Sequence, residues 1–89
     1  MTQALESVAA PEAARRFDVV ADAEPGVLPR LLEEFAKLGA TPLRVLAERG
    51  DGDALRVTIV MDAPDQQHAL HLADRLRRVI GVGDVLLSG

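Results

Sequence analysis

The chain has 89 residues, 48% of them apolar and 27% charged, with 14 acids against 10 bases and a formal net charge of −4. That length holds one domain with one core, and a chain so short buries only roughly 60–65% of its unfolded surface, a reason to expect self-association. Two phenylalanines, no tryptophan or tyrosine and an acidic balance exclude the stacking platforms and basic clusters of nucleic-acid binders, and the lack of cysteine excludes disulfides, thiolate metal sites and thiol catalysis.

The first residues have neither the basic start nor the apolar run of a signal peptide, and no stretch of ~18 apolar residues is available to span a bilayer. A soluble, cytoplasmic protein without membrane contact is expected. Residues 1–15 mix Ala, Glu, Gln and Ser around Pro11 with no apolar face, so they read as an N-terminal tail or arm, and residues 16–89 as the domain. From Arg16 to Asp22, Phe17, Val19 and Ala21 alternate with Asp18, Val20 and Asp22, the pattern of a half-buried strand.

Asp22, Ala23, Glu24, Pro25, Gly26, Val27 and Leu28 join that strand to the first helix. Pro25-Gly26 makes a turn, and Pro29 is tolerated only within the first four helical positions, so the helix must start at Gly26 or Val27. The amides of Gly26, Val27 and Leu28 are then free at the positive end of a helix dipole, where a carboxylate can bind. The plainer role of the same residues is to turn the chain. Val27, Leu28, Leu31, Leu32, Phe35 and Leu38 recur at helical spacing against Arg30, Glu33, Glu34 and Lys37, and Gly39 supplies a left-handed cap.

Leu43, Val45 and Ala47 alternate with Arg44, Leu46 and Glu48 in a second strand, which Pro42 assigns to a sheet edge. Gly50-Asp51-Gly52-Asp53 signals a hairpin into a third strand from Ala54 to Met61, apolar on both sides and therefore central. Asp62 is expected to cap the second helix, with Pro64 in its first turn, Asp65 three residues after the cap, and Ala69, Leu72, Ala73, Leu76, Val79 and Ile80 as its buried stripe. Gly81 and Gly83 end that helix, and Val85, Leu86 and Leu87 form a short last strand.

The order strand, helix, strand, strand, helix, strand predicts an α+β, ferredoxin-like βαββαβ sandwich: a four-stranded antiparallel sheet with both helices on one face. Val20, Leu46, Val60 and Leu86 fall on the other face and favour a partner over water.

Few constellations carry chemistry. His68 and His71 with Asp65 and Asp74 have metal-compatible helical spacing but read better as a solvated flank, and Asp74 with Arg78 is spaced for an ion pair. Asp18 and Asp22 share a strand face, yet nothing supplies the apolar pocket that would make one a general acid. Arg75, Arg77 and Arg78 could meet a phosphate or simply complement a helix end. With no phosphate loop, no nucleophile beside a base and no asparagine, the chain offers no catalytic residues, no metal site and no cofactor site.

The element order, together with Pro25-Gly26-Val27-Leu28 after the first strand, Phe35-Ala36 and Gly39 at the first helix end and Gly81-Val82 before the last strand, resembles an ACT domain. The likeness covers about residues 17–87. The run Val27-Leu28-Pro29-Arg30-Leu31-Leu32 is similar, more narrowly, to the small regulatory subunit of acetohydroxyacid synthase. The resemblance implies a non-catalytic regulatory domain of amino-acid metabolism, paired edge to edge as a homodimer with an eight-stranded sheet and acting on a catalytic subunit. It further implies a small amino-acid effector between Asp22 to Leu28 of one chain and Thr41, Pro42 and Leu43 of the other. Family members that bind an amino acid often have asparagine two residues before the Pro-Gly, and this chain has Ala23 there. A ligand-free dimerisation or protein-interaction module of the same fold is the alternative.

Overall fold

The computed structural model describes residues 14–63 and 65–89. The expected N-terminal tail therefore lies outside the described residues except for Ala14 and Arg15, which already belong to the first strand. The elements run β1 (Ala14–Asp22), α1 (Val27–Lys37), β2 (Arg44–Arg49), β3 (Ala54–Asp62), α2 (Gln66–Arg77) and β4 (Val82–Ser88). The strands pair antiparallel in the order β2-β3-β1-β4, the expected ferredoxin-like sandwich.

Strand alternation makes the core. Phe17, Val19 and Ala21 of β1 lie opposite Ile59, Val57 and Leu55 of β3, so one sheet face presents a continuous apolar surface. Val27, Leu31 and Phe35 of α1 and Ala69, Leu72, Ala73 and Leu76 of α2 close over it. The rings of Phe17 and Phe35 meet edge to face, with centroids 5.7 Å apart and planes at 87°, an arrangement worth roughly 0.5–1.5 kcal/mol beyond area burial. Between the helices, Arg75 Nε donates to Glu34 Oε1 at 2.7 Å, and within α1 Lys37 Nζ lies 3.5 Å from Glu34 Oε2.

β2 is the edge strand that Pro42 predicts, and all six of its side chains are exposed because neither helix reaches over it. The open face is crossed by three rows: Arg44–Val60–Arg16–Ser88, Leu46–Thr58–Asp18–Leu86 and Glu48–Arg56–Val20–Asp84. In the middle row Asp18 accepts hydrogen bonds from Arg16 Nε at 3.0 Å and Thr58 Oγ1 at 3.1 Å. That carboxylate is a structural counterion, not one member of an acid/base pair.

Several local expectations need correction. Asp62 does not cap α2. It ends β3, paired with Ala14, because β1 begins two residues earlier than the alternation indicates and gives β3 a partner that far along. Asp65 is the cap, its Oδ1 accepting the Gln67 N–H at 3.0 Å, and Pro64 lies outside the described residues. Ile80 is 77% exposed, not part of the buried stripe, since α2 stops at Arg77 and the chain turns away. Asp74 pairs with Arg77 at 3.0 Å instead of Arg78, and Arg77 also donates to the Val85 carbonyl. β4 is longer than expected and meets β1 across a register shift at Val20/Ala21.

Truncating Phe35 to Ala removes one ring of the pair at a fully enclosed site. A loss of about 3–5 kcal/mol is expected in urea denaturation, while Phe35→Leu, which keeps most of the volume, loses clearly less.

Candidate functional site

Three connections converge at one end of the sheet. β1 and β2 both finish there, the β2–β3 hairpin turns there, and the α2–β4 turn enters there, so the β1–α1 loop is flanked on both sides. Two hydrogen bonds fasten it: the Asp22 N–H donates to the Gly81 carbonyl and the Ala23 N–H to the Asp53 carbonyl, both at 2.7 Å. Gly81 has φ +99°, a backbone that side-chain-bearing residues rarely adopt, so glycine is what lets that carbonyl face β1.

Pro25-Gly26 does form a turn, closed by the Val27 N–H donating to the Glu24 carbonyl at 3.1 Å. Gly26 is the helix N-cap and Pro29 falls at the third helical position. Of the three amides expected to be free, the turn therefore uses that of Val27, whose side chain is fully buried. Among the described residues, those of Gly26 and Leu28 make no hydrogen bond. The Arg30 guanidinium lies back across Gly26, and its Nη1 is 3.4 Å from the Ile80 carbonyl. No acid occupies the first turn of α1, and the charges beside that helix end are Arg30 and the Glu24 carboxylate, which lies near Val27 and Gly81.

An open depression of about 260 Å³ lies beside the loop, lined by Ala23, Glu24, Pro25, Arg49 and Leu55. Glu24 and Arg49 both line it over an apolar floor, the Glu24 carboxylate reaching toward Gly81, where a Cβ would lie 3.9 Å from Glu24 Oε1, and among the described residues neither forms an ion pair within 4.0 Å. The structure thus unites Ala23, Glu24 and Pro25 with two residues missed from sequence, Arg49 and Leu55. Arg49 was recognisable only as the last residue before the hairpin glycine; its position beside the β1–α1 loop follows from sheet order. Thr41, Pro42 and Leu43 stand elsewhere. They precede β2, whose first residue pairs with Val60, whereas the loop follows Asp22, which pairs with Ala54. Within one chain these segments occupy opposite ends of the sheet.

Other candidates dissolve on inspection. His68 is half-buried and His71 exposed on α2, and among the described residues no three His, Asp or Glu side chains come together as a metal site. Arg75 is committed to Glu34 and Arg77 to Asp74. Among the described residues, no helix is long and apolar enough to cross a membrane.

A family model described as "ACT-like domain" matches residues 8–89. The chain belongs to the ACT-like domain family. In fold, this ACT domain is similar to that of GTP pyrophosphokinase from Chlorobium tepidum, with TM-score 0.73 and 17% identity over 84% of this chain and 96% of that one. It is also similar to the C-terminal domain of MgtC from Mycobacterium tuberculosis (TM-score 0.69, 16% identity, 89% and 90% covered). A third similarity is to the regulatory subunit of aspartate kinase from Thermus thermophilus, at TM-score 0.69 and 13% identity. There the match covers 84% of this chain and 50% of the other. The ACT domain thus shares its fold with the regulatory part of an enzyme of amino-acid metabolism. No curated protein matches the sequence.

Gly81→Ala puts a methyl group 3.4 Å from Val27 Cγ2 on a strained backbone. The expected loss is about 1–2 kcal/mol, read as a lowered thermal midpoint, with the amides of residues 22 and 23 exchanging faster than in the parent.

Proposed function

We propose that this ACT domain is a non-catalytic regulatory unit that binds a small amino acid in the depression beside the β1–α1 loop and modulates a separate catalytic subunit. The observation that carries it is that an acid, Glu24, and a base, Arg49, line one apolar-floored depression. A free amino acid is a zwitterion: its ammonium suits the Glu24 carboxylate and its carboxylate the Arg49 guanidinium, with the Gly26 amide one residue beyond the rim. A small apolar side chain suits Leu55 and Pro25.

Completing the site calls for a second copy. β2 is an exposed edge, and a two-fold axis normal to the sheet, between two β2 strands, extends the four strands to eight. Antiparallel pairing of that kind brings the partner's first β2 residues alongside Arg49 of this chain. Thr41, Pro42 and Leu43 would then close the depression that Asp22 to Leu28 opens. Effector binding biases the pairing geometry because one ligand touches both chains, and that difference between pairing states is what a catalytic subunit reads. The narrower likeness to the small subunit of acetohydroxyacid synthase makes branched-chain amino acids the first effectors to test.

A second reading is favoured by a specific observation. Ala23 offers no side-chain hydrogen bond, its N–H is spent on Asp53 and that of Val27 on Glu24, so the loop is largely closed on itself. The domain would then be a ligand-free dimerisation or interaction module.

A thermal-shift screen of the free amino acids separates the two. For the effector, stabilisation of about 2.7 kcal/mol is expected at 100 times its dissociation constant. Arg49→Ala and Glu24→Gln should each weaken binding roughly 10- to 100-fold, the usual cost of one hydrogen bond to a charged group. A folded dimer that responds to none of them is the interaction module. Edge pairing itself is checked by amide exchange: alternate amides from residue 44 to 49 are protected at high protein concentration and lose protection on dilution.

A further inference from the structure

The open face of the sheet is neither a polar, solvated surface nor a uniformly apolar one. Leu86 is 62% exposed, Leu46 50% and Val20 42%, surrounding a depression of about 460 Å³ over the centre of the sheet. The charges are ordered. On β2, Arg44 and Glu48 stand two residues to either side of Leu46, and among the described residues neither makes an ion pair. That sequence of cation, leucine and anion is complementary to its own reversal.

We infer that this face is a second self-interface, on which two edge-paired dimers stack sheet to sheet about a two-fold axis running along the row from Leu46 to Leu86, making a tetramer. The inference rests on the edge pairing proposed above. Rotation about that row sets Arg44 over the partner's Glu48 and Glu48 over the partner's Arg44, with leucine meeting leucine at both ends. Arg16 comes over an aliphatic Val20. Asp18 lies on the axis with its own counterion already in place, Arg16 Nε at 3.0 Å. The other in-plane axis, along the strands, would set Glu48 over the partner's Asp84, a like-charged contact, so the charge pattern selects the first. The selected axis meets the edge-pairing axis at a right angle, and the two generate a closed assembly in which both interfaces are satisfied.

Area argues for dimers, not monomers, as the units that stack. Four strands about 4.8 Å apart and seven residues long, rising about 3.3 Å each, give a face of roughly 440 Å². Two such faces bury about 900 Å², below what a specific interface needs, whereas two eight-stranded faces bury about 1,800 Å², within the standard range. Aligned sheets pack about 10 Å apart at a crossing near 30°, close enough for the leucines to interdigitate.

Sedimentation and native mass spectrometry of the full chain test this with variants confined to one surface each. Wild type is expected as a tetramer, Leu86→Glu as a dimer, and Val45→Lys, whose side chain faces the helix side of the edge strand, as a species without edge pairing. Arg44→Glu should also give dimers, and the exchange Arg44→Glu with Glu48→Arg should restore the tetramer. Circular dichroism confirms that each variant is folded, as exposed sites allow. A wild-type dimer unchanged by Leu86→Glu but split by Val45→Lys overturns the stacked face and leaves the edge pairing standing. A tetramer that survives Leu86→Glu also overturns it. A wild-type monomer overturns both.

Discussion

The antiparallel register of β1 on β3, from Ala14 opposite Asp62 to Asp22 opposite Ala54, puts Phe17, Val19, Ala21, Val57, Ile59 and Met61 on one side of the sheet together. Because the side-chain period of a strand is two, a slip of β1 by a single residue would deliver Phe17, Val19 and Ala21 to the open face and Arg16 and Asp18 to the core. Burying those two charges costs far more than any loop could return. The helices depend on this register in turn, since α1 and α2 have no other apolar surface on which to lay Leu31, Phe35, Leu72 and Leu76. The connections at the sheet's end inherit their positions from it as well. Ala23 reaches the Asp53 carbonyl only because Asp22 sits opposite Ala54.

That inheritance explains the mixed character of the candidate site. The β1–α1 loop is firmly held because its amides are spent within the fold, and what remains for a ligand is largely side chain: Glu24 and Arg49 at the rim, Leu55 beneath. A rigid loop is a good platform for a zwitterion, since little ordering entropy remains to be lost on binding. It is a poor platform for a ligand that needs several backbone donors. Arg30, folded over Gly26, further commits the helix end to the protein's own side chain.

Most of the architecture was legible in the residues. Alternation located β1, β2 and β3, the spacing of Leu31, Phe35 and Leu38 located α1, and Pro42 identified the edge. Where local reasoning failed, the deciding partner was distant in sequence. Asp62 and Asp65 are equally good cap residues by type, and pairing with Ala14, 48 positions from Asp62, settles which one caps. Ile80 continues the helical spacing of Leu72, Leu76 and Val79, but Gly81 must adopt φ +99° to bring its carbonyl to Asp22, which pulls Ile80 off the helix into solvent. The candidate site shows the same division. Ala23, Glu24 and Pro25 were visible as a loop after a strand, whereas Arg49 and Leu55 join them only through sheet order. Thr41 to Leu43, expected to reach that loop from a second chain, lie at the opposite end of the sheet within one chain.

The exposure of β2 has a dynamic consequence. None of its six side chains is buried, so only the ladder to β3 and partial cover from its neighbours hold it, and a strand held that way opens at a small fraction of the global unfolding free energy. Among the described strands β2 is therefore the first to fray, and fraying releases β3 as a new edge. Anything that pairs with β2 raises the cost of that opening, which makes the local melting of one strand a sensitive gauge of whether the domain is occupied.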